Sequence, residues 1–174
     1  MKWLAVLLIS LAVGTAVAAP LDLHYGVNEV DINGDGVKDM IVKVRWENFN
    51  AHSFDRYLVM VRLEGEDYPQ GVYEVPKGRN YDYVFRTEEA ADCQIAAYNF
   101  TLNRHDMLEV TAFVKARWQE TFCEPQPVTI TTYRLTDGVK EDGMAAWGTP
   151  PYYLKEVRSA KTTRKYEDVS SLLK

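Results

Sequence analysis

Residues 40–47 read MIVKVRWE, and their alternation decides the fold class. The even-numbered positions are all apolar, whereas the odd-numbered positions after Ile41 are all charged. Side chains of an extended chain point alternately to the two faces of a sheet. The stretch therefore predicts a β-strand with one apolar face and one mostly polar face.

Four further segments show the same period of two or a β-branched, aromatic composition: 57–63, 108–118, 128–135 and 152–158. Clusters of Gly, Pro, Asn and Asp separate them, as expected for turns. Helical patterns are scarce. Residues 88–97 fit a short helix or a loop, and Tyr166, Val169, Leu172 and Leu173 fit one face of a C-terminal helix. We predict a mainly β protein, a single antiparallel β-sandwich or open barrel with short helical pieces.

The first 18 residues are typical of an export signal. Lys2 supplies a positive start, an apolar run follows, and residues 16–18 read AVA, the small-residue pattern at which signal peptidase cleaves. The apolar run is short for a membrane span. We therefore expect residues 1–18 to be removed, leaving residues 19–174 as a single β-rich domain in the periplasm with no membrane span.

Composition excludes several classes of protein. Apolar residues make up 47% of the chain and charged residues 26%, which is ordinary for a globular domain. The chain has 25 acidic and 20 basic residues and a formal net charge of −5. Binding to phosphate backbones needs a positive field, so we expect no nucleic-acid partner.

Cys93 and Cys123 are the two cysteines of the chain. Two thiols in an exported protein most simply form one disulfide, since the compartment is oxidising. Closing a loop of about 30 residues stabilises the fold by roughly 3–4 kcal/mol. We predict the Cys93–Cys123 disulfide.

Residues 31–39, DINGDGVKD, place oxygen-bearing side chains at Asp31, Asn33, Asp35 and Asp39. Ca²⁺ takes six to eight oxygen ligands, and the Val37 carbonyl adds one more to this set. The twelfth position, where an EF-hand needs Glu, is valine, and an apolar strand follows. Two interpretations remain: a Ca²⁺-binding loop next to a strand, or an Asx turn whose side chains cap backbone amides without metal.

A polar loop, residues 47–55 (ENFNAHSFD), joins two of the predicted strands. Its hydrogen-bonding side chains are candidates for binding a small polar ligand or a protein partner: Asn48, Asn50, His52 and Asp55. The alternative is that they only cap the turn while the two phenylalanines pack beneath it.

The same loop holds the residue types of a hydrolase triad, His52, Ser53 and Asp55. Neighbours in an extended chain point in opposite directions, so these three cannot form the relay among themselves. The sequence has no G-x-S-x-G, S-x-x-K or H-E-x-x-H. We expect no enzymatic activity.

Tyr25-Gly26, the 31–42 segment and the 47–55 loop together resemble the CarG-type carbapenem resistance family. The resemblance is carried by about thirty residues, from Tyr25 to Asp55. It implies a small exported β-rich protein that protects against carbapenems without a recognisable β-lactamase site, and it transfers no active-site residues.

The leading functional prediction is an exported, non-enzymatic binding or protective protein whose ligand is an unidentified small molecule or protein. The alternative is a protein-interaction module, such as an inhibitor of a delivered toxin or a calcium-stabilised surface protein. An acidic surface with an exposed loop suits a basic protein partner.

Overall fold

A computed structural model describes residues 19–47, 49, 52–72, 85–90, 92–116, 123–138 and 150–173. The predicted export signal, Asn48 and Asn50 lie outside the described residues. The strands are β1 Gly26–Val30, β2 Asp39–Glu47, β3 Ser53–Val61, β4 Gln70–Gly71, β5 Phe85–Arg86, β6 Glu88–Glu89, β7 Gln94–Leu102, β8 Leu108–Lys115, β9 Gln126–Asp137 and β10 Tyr152–Tyr166. A short 3-10 helix, Val169–Leu172, follows β10.

These strands form two antiparallel sheets. The first sheet has the order β1-β2-β3-β4, and β5 also pairs with β3. The second sheet has the order β10-β9-β8-β7-β6. The chain crosses between the sheets at Thr87, because β5 pairs with β3 whereas β6 pairs with β7. The predicted mainly β, antiparallel architecture is confirmed.

The main core lies between the two sheets and receives residues from both. Twelve buried residues form it: Ile32, Ile41, Tyr57, Val59, Val61, Val72, Phe85, Phe100, Leu108, Val110, Leu135 and Leu154. Each large apolar side chain removed from water contributes roughly 1.5–3 kcal/mol, so this cluster is the main force holding the sheets together.

A smaller core lies on the other side of the second sheet. Ala97, Phe113 and Val128 present their side chains there, and Val169 of the 3-10 helix packs against them. Tyr166, Leu172 and Leu173 complete the contact. These residues lie on one apolar face, as the sequence predicts. The helical piece there is the 3-10 helix Val169–Leu172, whereas Tyr166 is the last residue of β10.

Residues 88–97 also differ from expectation. They contain β6 and the start of β7 rather than a short helix or only a loop. Ile95, Ala96 and Ala97 are consecutive and all buried, and Ala97 belongs to the smaller core. A strand that is buried on both faces loses the alternation by which strands are detected.

The apolar face of β2 is the one that points away from the core. Ile41 and Asp39 are fully buried between the sheets, whereas Val44 and Trp46 are 44% and 50% exposed. The alternation predicted which residues share a face, and the opposite sheet determines which face is covered.

Cys93 and Cys123 form the predicted disulfide, with their Cα atoms 5.5 Å apart. It joins the segment before β7 to the segment before β9. Among the described residues no helix is long and apolar enough to cross a membrane.

Candidate functional site

Six polar side chains meet at the end of the first sheet where β2 leads into β3. We call them the Arg45–Asp55 cluster: Tyr25, Lys43, Arg45, Ser53, Asp55 and Glu89. The antiparallel register of β2 and β3 places Arg45 opposite Asp55. Lys43 and Arg45 follow Ile41 on the inner face of β2, where the main core ends.

Asp55 is the acceptor at the centre of the cluster. The Tyr25 hydroxyl donates to its carboxylate at 3.1 Å, Arg45 Nη1 lies 3.3 Å away, and Lys43 Nζ lies 3.8 Å away. Its backbone is fixed as well, because the Asp55 N–H donates to Thr87 Oγ1 at 2.8 Å and its carbonyl accepts from the Thr87 N–H at 3.0 Å. Asp55 thus holds its neighbours in place.

Ser53 is hydrogen-bonded on both sides. Its hydroxyl donates to Glu89 Oε2 at 3.0 Å, and its oxygen accepts a hydrogen bond from Arg45 Nη2. Arg45 also donates to Glu47 at 2.9 Å and lies 3.7 Å from Glu89. These bonds join the two sheets, because Glu89 belongs to β6 of the second sheet.

The charges of the cluster are largely neutralised within it. Hydrogen bonds to Glu47 and Tyr25 raise the pKa of Arg45 further above its ordinary value. Burial, together with the charges of Asp55 and Tyr25, raises the pKa of Tyr57 beneath the cluster. The guanidinium therefore stays charged and the phenol stays protonated at every physiological pH, which makes the cluster a fixed array of donors and acceptors.

Of the four predicted loop residues, the structure describes two, His52 and Asp55. Asp55 lies inside the cluster, and the exposed His52 directly precedes β3. Asn48 and Asn50 are outside the described residues. Phe49 is 99% exposed and has a left-handed backbone, with φ of 55°.

The Asp31 carboxylate caps its own loop. It accepts hydrogen bonds from the N–H groups of Gly34 at 2.7 Å and Gly36 at 2.8 Å. Both glycines have positive φ, 75° and 85°, a conformation that costs glycine little. This arrangement curls the loop around Asp31.

Asn33 and Asp35 complete the curl. Asn33 Nδ2 donates to Asp35 at 2.9 Å, and the Val37 N–H donates to Asp35 at 2.7 Å. The side-chain oxygens of Asp31, Asn33 and Asp35 here accept hydrogen bonds from backbone and side-chain N–H groups.

Asp39 is fully buried and serves the fold directly. Its two oxygens accept hydrogen bonds from the Ile32 N–H at 3.0 Å and the Arg62 N–H at 2.8 Å. Burial raises the pKa of Asp39; the two N–H donors oppose that shift, and the charges of Asp35 and Asp31 add to it. Within the described residues, no group of three or more His, Cys, Asp or Glu side chains is arranged to hold a metal ion. The calcium site stays a prediction.

Sequence reasoning missed Tyr25, Lys43, Arg45 and Glu89 as members of the cluster. A hairpin centred on residue 50 pairs Arg45 with Asp55, so this part was accessible from the sequence. Glu89 comes from the other sheet, and no local sequence pattern predicts its contact with Ser53.

The family model described as "Carbapenem resistance protein CarG-like" matches residues 23–174. The chain belongs to the CarG-like family. The crystal structure of CarG matches the fold with a TM-score of 0.73 and 17% sequence identity, covering 88% of this chain and 92% of that chain. No curated protein sequence gives a significant match. The predicted resemblance is confirmed, and the chain is a carbapenem resistance-like protein of the CarG-like family.

Proposed function

We propose that this CarG-like protein is exported to the periplasm and protects against carbapenems by binding rather than by catalysis. Membership in the CarG-like family supports the antibiotic part of the proposal. The N-terminal sequence pattern supports export. The hydrogen bonding of Ser53 carries the non-enzymatic part.

A serine nucleophile needs a base for its proton and a free oxygen lone pair for attack. The Ser53 hydroxyl donates a hydrogen bond to Glu89, and Arg45 donates a hydrogen bond to the Ser53 hydroxyl oxygen. A guanidinium that donates to the attacking oxygen withdraws electron density from it and makes it a weaker nucleophile. The Ser53 hydroxyl is thereby suited to holding the two sheets together and unsuited to attacking a lactam carbonyl.

The cluster suits binding because its groups are fixed before any ligand arrives. Preorganised donors and acceptors reduce the entropy that a ligand must lose on binding. Lys43 and Arg45 offer N–H groups to a ligand, while Asp55 positions them. The exposed His52 extends this surface along the loop.

The test combines cells and purified protein. The full-length chain, expressed in a susceptible Gram-negative host, should raise the minimal inhibitory concentration of a carbapenem, and removal of residues 1–18 should abolish this protection. The purified mature protein should leave the carbapenem absorbance unchanged over hours. Hydrolysis that disappears in Ser53→Ala would overturn the proposal.

Two arginine variants test whether the cluster is involved. Arg45→Gln removes the cation at its centre and should abolish protection. Arg134→Gln is the matched control, because Arg134 forms a comparable ion pair with Glu109 at 2.8 Å on the second sheet. Equal loss of protection in both variants, with both proteins folded, would contradict a role for the cluster.

A second candidate function, a protein-interaction module, is favoured by Phe49. Its ring is 99% exposed and projects from a residue with positive φ. Aromatic side chains, including phenylalanine, are enriched in protein interfaces. Protection that survives Arg45→Gln but is lost in Phe49→Ser would favour this function over ligand binding at the cluster.

A further inference from the structure

The outer face of the first sheet carries two arginines in directly opposed positions. Arg56 of β3 and Arg86 of β5 are Cα partners in the antiparallel register. Like charges directly opposite each other on one sheet face are destabilising. In the part of the chain that the structure describes, neither guanidinium forms an ion pair with a carboxylate.

Aromatic rings hold both guanidiniums in place. Arg86 Cζ lies 4.0 Å from the centroid of the Phe54 ring, and Arg56 Cζ lies 5.2 Å from the same centroid. Arg56 Cζ also lies 4.8 Å from the centroid of Trp46, which stacks on Phe54 with the rings 14° apart in plane. The N–H groups of these two guanidiniums are the donors that an anion at this position would bind.

Apolar surface adjoins this pair on the β2 side. Val44 lies directly opposite Arg56, and Trp46 lies opposite Phe54 in the next row. Val44 and Trp46 are 44% and 50% exposed, although Phe54 between the cations is buried. Two cations that form no ion pair with a described carboxylate thus lie at the border of an exposed apolar surface.

The outer face of the second sheet is different. The 3-10 helix covers one part of it. Where it is uncovered, Arg134 is paired with Glu109 and threonines lie alongside. Among the described residues, the arginine pair and its apolar neighbours on the first sheet therefore differ from the Arg134–Glu109 surface of the second sheet.

We propose that Arg56 and Arg86 bind the carboxylate of a small organic acid whose apolar body lies against Trp46 and Val44. A planar carboxylate matches the N–H edges of guanidinium groups, and it relieves the repulsion between the two cations. The site lies on the face of β2 and β3 opposite the Arg45–Asp55 cluster, so it goes beyond the proposed protective function.

The first experiment measures binding of 3-phenylpropionate to the ¹⁵N-labelled mature protein. The Trp46 indole N–H signal, assigned with Trp46→Phe, should shift and saturate. Acetate supplies the charge without the body, and 3-phenylpropanol supplies the body without the charge. Each should bind at least about tenfold more weakly, as expected when a charge-assisted hydrogen bond or the apolar contact is missing.

Variants assign the binding to the arginine pair. Arg86→Gln and Arg56→Gln should each weaken 3-phenylpropionate binding about tenfold. Arg158→Gln, an exposed arginine on β10, is the matched control and should bind as the wild type does. Arg86→Lys keeps the charge and should fall between wild type and Arg86→Gln, which separates loss of the site from loss of folding.

Two results would overturn the inference. One is equal binding of 3-phenylpropionate and 3-phenylpropanol. The other is unchanged affinity in folded Arg86→Gln, which would mean that the arginines only cover Phe54. The Arg45 and Phe49 variants test carbapenem protection separately, so the two proposals can fail independently.

Discussion

Asp39 shows how one residue of a metal-like motif serves the fold. It is fully buried, and its carboxylate receives the N–H groups of Ile32 and Arg62. These two amides connect the 31–39 loop and the end of β3 to the first residue of β2. The motif therefore organises the edge of the main core whether or not an ion binds.

Asp39→Ala should lower the free energy of unfolding by about 2–4 kcal/mol, because the buried Ile32 N–H and the partly buried Arg62 N–H lose their acceptor. Urea denaturation in the presence of chelator measures it. Asp35→Ala is the control, since Asp35 is exposed, and should cost less than about 1 kcal/mol. Equal losses in the two variants would mean that the carboxylate of Asp39 has no special structural role.

Calcium should raise the melting temperature if the motif binds it. Asp31, Asp35 and Asp39 are close enough for the first two charges to raise the pKa of the third, so a cation would relieve their repulsion. At a hundredfold excess over the dissociation constant the gain is about 2.7 kcal/mol, or roughly 5–10 °C for this size. Asp35→Ala should abolish the shift. Identical melting curves in calcium and in chelator, with metal-free protein confirmed by metal analysis, would favour the Asx turn.

At the level of elements, Asp168 attaches the C-terminal 3-10 helix to the second sheet. Its carboxylate accepts from the Ser170 N–H at 2.7 Å, as the N-cap, and from the Gln94 N–H at 3.2 Å. Lys115 Nζ donates to the carbonyl of Glu167 at 2.6 Å. Burial disfavours the charged form of Asp168, but these hydrogen bonds and the Lys115 charge outweigh it and lower its pKa.

A lowered carboxyl pKa means that the folded protein favours the charged form. The resulting stability is present above the ordinary value of 3.8 and is lost as pH falls through the folded pKa of Asp168. Asp168→Asn should therefore cost about 1 kcal/mol near neutral pH and almost nothing in acid. Urea midpoints across the acid range measure the difference. A difference that does not change with pH would contradict this account.

The sequence predicted the positions of strands better than it predicted which face of each strand is buried. Alternation located β2, β3 and β8, because one face of each is consistently apolar or β-branched. It did not reveal that Ile41, on the mostly charged face of β2, is the residue that enters the core. Burial depends on the opposite sheet, and that contact is not encoded within a single strand.

One part of the candidate site could be predicted from the sequence and another part could not. The hairpin register makes Arg45 and Asp55 partners, and this follows from the sequence. Glu89 reaches Ser53 across the gap between sheets, 36 residues away. A contact of that kind depends on how the sheets stack, so it becomes visible only in three dimensions.

For the whole molecule, the two sheets depend on each other. Val59 of the first sheet and Leu108 of the second are both fully buried members of one core. Within the described residues, the other buried apolar cluster is the small one beneath the 3-10 helix. We therefore expect the protein to unfold as one cooperative unit.

Two valine variants of the same sheet test this. Val59→Ala, in the core, should lower the free energy of unfolding by about 2 kcal/mol, because the loss of two buried methyl groups adds a cavity cost. Val44→Ala, on the exposed outer face of β2, should cost less than about 1 kcal/mol. Hydrogen exchange of backbone amides provides the decisive measurement. If the sheets unfold together, Val59→Ala reduces the protection of the slowest amides in β8 and β9 by the same free energy as in β2 and β3. Protection that falls in the first sheet while the second keeps its wild-type values would show two independent folding units instead of one.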